Sequence, residues 1–142
     1  MSYSDMLDRI HAAISSQSAD LEEKISRLKR AKSKIETEQN TSLEEIKQIK
    51  KPDLGASWKG NRSEKFNEAR DDAYNEMENI ITDDYEGYKA RIQSKIVMLE
   101  IEQGALSAAR GLAHTADQLL SKGEEALEEL GSTISDLKRR LF

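Results

Sequence analysis

Residues 51–66, KPDLGASWKGNRSEKF, decide the fold, because nowhere else does the chain stop reading as helix. They hold the only proline, Pro52, the only tryptophan, Trp58, and two glycines, Gly55 and Gly60, on either side of it. Pro52 has no backbone donor and forces Lys51 out of the α region, so a helix arriving from the N-terminal side ends here. Asn61 offers a capping side chain with Glu64 three residues on, which starts a second helix at about Arg62. Residues 51–61 are thus an elbow between helices. Pro52, Leu54 and Phe66 pack it, Trp58 either plugs it or faces a partner, and Gly60 supplies a left-handed or crowded backbone beside the cap.

Working back from the elbow, Leu7, Ile14, Leu21, Leu28 and Ile35 recur every seven residues after a capping-box-like start at Ser2 and Asp5. Ile10, Gln17, Lys24 and Ala31 take the alternate places, so half of this seam is weak, with Ile25 partly covering for Lys24. The polar run Glu38, Gln39, Asn40 shifts the register by one before Leu43, Ile46 and Ile49 resume it. The expectation is one helix over 4–50, about 70 Å long at 1.5 Å per residue.

Working forward, Phe66, Ala69, Ala73, Met77, Ile80, Ile81, Tyr85, Tyr88, Ile92, Ile96 and Leu99 keep a three- or four-residue spacing. The small Ala69 and Ala73 near the elbow would let two antiparallel helices approach. From Gln103 onward Gly104, Gly111 and Gly123 interrupt an Ala-rich segment without any proline or turn cluster. Leu127, Leu130, Ile134, Leu137 and Leu141 then form a regular seam, ending in Lys138, Arg139 and Arg140, which suit the negative end of a helix dipole. Residues 62–103 already match the first helix in length. The remainder either extends the second helix to 141 or folds at 104–111 into a third helix, and the missing turn signal favours extension. An extended seam uncovered in cis predicts a partner helix, with Leu99, Leu127, Leu130, Ile134, Leu137 and Leu141 as its interface.

The fold class that follows is all-α: a single domain, residues 1–142, forming a long antiparallel, coiled-coil-like helical hairpin with an extended second helix. Composition agrees, with 35% charged and only 5% aromatic residues, too few large rings to fill a thick core. Charge blocks point the same way. Lys24 to Lys34 is basic and Glu64 to Glu86 acidic, and a fold-back near 55, placing 29 beside 82, would lay them partly alongside each other, setting orientation more than stability.

The phrase Pro52-Asp-Leu54 followed by Trp58-Lys-Gly60, between two amphipathic helices and after a Ser-Tyr-Ser start, resembles the YwqH-like companions of LXG-domain toxins. These are related in turn to the Trp-x-Gly helical-hairpin proteins of type VII secretion in Gram-positive bacteria. The resemblance covers most of the chain in pattern and specific residues from Pro52 to Phe66. It implies an adaptor that pairs with the helical N-terminal domain of an LXG toxin, with or without a second small helical companion, and presents it to the type VII machinery. Trp58 and Gly60 would be the secretion motif. It also implies a cytoplasmic protein before export that is then secreted or held at the cell surface. Tyr74 and Glu78 match the Tyr-x-x-x-Asp/Glu export signal, although four tyrosines among many acids make such a match expected by chance. The rival reading is a self-associating coiled coil or a secreted Trp-x-Gly homodimer.

Other chemistries lack their residues. A net charge of −5 opposes general nucleic-acid binding. No Cys is present for disulfides or thiolate sites, and no apolar run approaches the ~18 residues of a membrane span or forms a Sec signal. His11 and His114 lack the Glu three residues before them that di-iron bundles use, and read as solvated. Gly55 to Gly60 has the spacing of a phosphate loop but continues Asn61-Arg62 and follows a helix. The expectation is a non-catalytic protein with no cofactor and no metal.

Overall fold

The computed structural model describes residues 2–50 and 60–142. It is all-helical: α1 (Tyr3–Ile46) ends in a 3₁₀ turn over Lys47–Lys50, and the return arm comprises α2 (Asn61–Asn79), a π-helical turn at Ile80–Asp84, and α3 (Tyr85–Lys122). A second 3₁₀ turn, Gly123–Ala126, leads into α4 (Leu127–Leu141). Among the described residues no helix is long and apolar enough to cross a membrane. Pro52, Leu54 and Trp58 lie outside the described residues.

The arms form the antiparallel hairpin. Ser2 starts α1 by accepting the Asp5 amide on its hydroxyl at 3.1 Å. The return arm begins one residue earlier than its capping pattern suggests, with Gly60 as the N-cap at φ 114°. That backbone conformation suits glycine, and the Gly60 carbonyl accepts both the Glu64 amide at 3.2 Å and the Ser63 hydroxyl at 2.9 Å.

The chain divides into two compact units, Met1–Arg27 with Ile96–Phe142, and Leu28–Lys95. The first is a three-helix unit. His11 meets Asp117 and Ser18 meets Arg110, so α1 and α3 run antiparallel, each step of seven matched by seven back. Tyr3 lies against Gly131 and Gln17 reaches the Leu141 carbonyl, so α4 runs parallel to α1. Leu7, Ile10 and Ile14 of α1, Ala109, Ala113, Ala116 and Leu119 of α3, and Leu130, Ile134 and Leu137 of α4 share one buried core.

The tail therefore does not extend α3, which is a correction to the straight reading of 62–141. Helix α3 passes through Gly104 and Gly111 unbroken, and the reversal comes at Gly123, whose φ of 79° a side chain would oppose. Three alanines on α3 leave room for α4 to approach closely, and Gln17 caps its last turn with a 3.3 Å bond.

The second unit is a pair of antiparallel arms. Lys32 bonds Gln93 at 3.0 Å and Gln39 reaches Ile81 and Glu86. Position 32 thus sits roughly four helical turns further along the return arm than a fold-back near 55 would place it. The basic and acidic blocks are not aligned as expected. Lys24 pairs instead with Asp20 and Arg27 with Glu23, both within α1. The expected register shift before Leu43 is also absent, because Gln39 itself is buried in the seam and Ile46 follows it seven residues on.

Candidate partner interface

The polar positions of the α1 seam do specific work. The alternate half of the heptad is His11, Ser18, Ile25, Lys32, Gln39 and Ile46, and not the series beginning at Ile10. Ile10 instead belongs to the core shared with α4. His11 is not simply solvated, because its Nε2 lies 2.8 Å from Asp117 Oδ2 in a half-buried pair. Such polar pairs in a helical seam penalise any slip by a turn, which would strand both partners.

Gln39 anchors the densest of these contacts. It is 7% exposed, and its amide nitrogen donates to the Ile81 carbonyl and to Glu86, each at 3.1 Å. Its amide oxygen accepts from Lys89 at 2.8 Å, and Lys89 also pairs with Glu86 at 2.7 Å. The Lys89 bond, then the Gln39 bond, hold the Glu86 carboxyl below its ordinary value. The π-helical turn at Ile80–Asp84 is part of the same arrangement, since Ile81, whose carbonyl accepts from Gln39, lies within it.

That turn also changes which face of the return arm points inward. One wider turn offsets the faces before and after it by about one residue, or 100°. Ile81 within it, and Ile96 and Leu99 after it, are buried as their spacing predicts. Up to its first residue, the predicted inner stripe faces out: Phe66 is 53% exposed, Met77 41% and Ile80 49%, with Ala69 and Ala73 exposed between them. About half of Phe66 is exposed, and the Arg70 guanidinium lies over its ring, 5.6 Å from the centroid; the elbow it is expected to pack lies outside the described residues. Inward on α2 are Ser63 and the half-buried Tyr74. The hydrogen bond of Tyr74 to Glu78, ahead of burial, raises the phenol pKa, so the candidate export pair is engaged within α2.

The predicted tail interface is largely internal. Leu99 is 4% exposed, Leu130 and Leu137 0%, and Ile134 2%, whereas Leu127 is exposed and Leu141 half-buried. The reason is the turn at Gly123, which supplies in cis the cover expected from a partner. Beside α4 lies an apolar cleft of about 610 Å³ lined by Met6, Arg9, Ile10, Ala12, Lys138 and Phe142, with no acid–base pair in its lining. Among the described residues no three His, Asp or Glu side chains gather as a metal site requires. What these surfaces offer is apolar contact and charge.

A model of the YwqH-like family matches residues 5–124. The chain belongs to the YwqH-like family. Protein YwqH of Bacillus subtilis (strain 168) is 41% identical to it over 138 residues, 97% of this chain and 99% of that protein. The family match stops at the Gly123 turn, while the likeness to the B. subtilis protein runs on into α4. No solved structure matches this YwqH-like chain.

Sequence reasoning missed the α2 ridge and the Gly123 turn for different reasons. Nothing in the spacing marks a π-helical turn, because the apolar residues continue at three and four through it. The reversal did carry a signal: Lys122 before Gly123, acids at Glu124, Glu125, Glu128 and Glu129, and bases at 138–140. That is the charge order of a complete helix with its own two ends.

Proposed function

We propose that this YwqH-like chain is a non-catalytic companion in type VII secretion that pairs with the helical N-terminal domain of an LXG toxin and supports its export. The type of system and cargo rests on the resemblance carried by Pro52, Leu54, Trp58 and Gly60. The observation that carries a binding role is the outward apolar ridge of α2, which a purely self-sufficient hairpin would turn inward. The buried tail leucines are no longer the contact, and the companion role stands on this ridge in their place. Co-expression with an LXG-domain protein encoded beside this chain should give a complex that survives purification and should raise export of the LXG protein; separate elution and unchanged export would sink the reading.

The second reading, self-association, draws on Val97, Met98 and Ile101 of α3, which are 46%, 56% and 68% exposed. Mass measurement across a concentration series separates the two. A stable homodimer lost on Ile101→Gln supports self-association, and a monomer that becomes a defined complex with the LXG domain supports the companion.

A further inference from the structure

We infer that the α2 ridge of Phe66, Met77 and Ile80 seats a cationic amphipathic helix of a partner protein, which completes this part of the molecule as a third helix. The inference rests on the companion reading and adds the site and the chemistry of the occupant.

Three observations converge. Among the described residues of the unit Leu28–Lys95, the buried apolar side chains are Ile46 and Ile81, with Gln39 in the seam beside them, while Phe66, Met77 and Ile80 stand outside. Two helices with an apolar face to spare are an unfinished bundle. Ala69 and Ala73, exposed between the large residues, give the ridge a shallow middle that lets another helix come close.

The other unit shows what finishes such a pair. There α4 lays Leu130, Ile134 and Leu137, at spacings of three and four, against α1 and α3, and all three are buried. The α2 face calls for the same apolar spacing from elsewhere.

Charge then selects the occupant. Residues 61–84 carry eight Asp and Glu against three Lys and Arg, and one of those three, Arg70, lies over Phe66. The exposed Glu76, Asp83 and Asp84 lie within a turn of Met77 and Ile80, so Lys or Arg beside the apolar stripe of a helix docking at that end favours both approach and register. The same carboxylates repel an anionic lipid surface.

The test uses the full chain and its Met77→Gln/Ile80→Gln variant, which leaves the net charge unchanged and alters only exposed side chains. Coincident thermal melts would verify the fold. Two probes are used: the helical domain of an adjacently encoded LXG protein, and a synthetic amphipathic helix of Leu and Lys with its Leu and Glu counterpart. Binding to the LXG domain should weaken roughly tenfold or more in the double variant and remain unchanged in Ile101→Gln. The Leu and Lys helix should bind the wild type, lose affinity to the double variant, and outcompete its acidic counterpart. Failure of the LXG domain to bind the wild type would remove the companion reading while the synthetic helix still decides the face. Equal binding of either probe to wild type and double variant would overturn the inference, as would a homodimer that depends on Met77 and Ile80.

Discussion

In the unit formed by Met1–Arg27 and Ile96–Phe142, leucines, isoleucines and alanines from three helices share one interior, and polar contacts such as His11 with Asp117 lie at its half-exposed margin. In Leu28–Lys95 the proportions reverse: a glutamine sits in the seam, a lysine and a glutamate close around it, and the large apolar side chains of α2 look outward. One helix makes the difference. Where α4 is present, burial supplies most of the cohesion, since each fully covered Leu or Ile contributes about 1.5–3 kcal/mol. Where no third helix is present, hydrogen-bond geometry holds the register, and the apolar surface is left for another molecule.

The contrast can be broken most severely at Leu130. Leu130→Ala should cost about 2–5 kcal/mol, read as a lower denaturation midpoint, because it empties a fully covered site. A loss below 1 kcal/mol would mean that α4 is not part of the core.

Gln39→Ala tests the other unit and should cost about 1–3 kcal/mol, removing the amide that joins the Ile81 carbonyl, Glu86 and Lys89 and leaving Lys89 with Glu86 alone. An unchanged midpoint would show that the polar contacts do not hold this seam.

The glycines sharpen the comparison by sign. Gly123→Ala should destabilise by about 1–2 kcal/mol, since its positive φ opposes a side chain. Gly104→Ala should stabilise by about 0.5–1 kcal/mol, since that residue is helical and a Cβ there meets open space. Equal effects at both positions would argue for one uninterrupted helix.

The smallest effect concerns acid. The Glu86 pKa is lowered in the fold, so its contribution is present above the ordinary carboxylate value of 4.5 and is lost as pH falls through the depressed value. The stability advantage of wild type over Glu86→Gln should therefore be constant near neutrality and vanish in that acid range. An advantage that persists into strong acid would point to packing instead of charge.

Much of this was legible from residue order. The start of the return arm followed from Gly60 and the capping pattern after it, the heptads at Leu7, Ile14 and Leu21 marked the first arm, and the spacing from Ile81 to Leu99 marked the second. The candidate interface was less legible, because Phe66, Met77 and Ile80 share their spacing with core residues and period alone does not say which side of a helix is covered.

Residue order alone therefore determined an all-helical hairpin, since helix propensity, apolar period and the single proline are local properties of the chain. Only the tertiary structure decided which stripes are inside. The backbone changes at Ile80–Asp84 and Gly123 are small, yet the first offsets the inward faces on its two sides, leaving the apolar ridge before it toward solvent, and the second folds the stripe after it into a core.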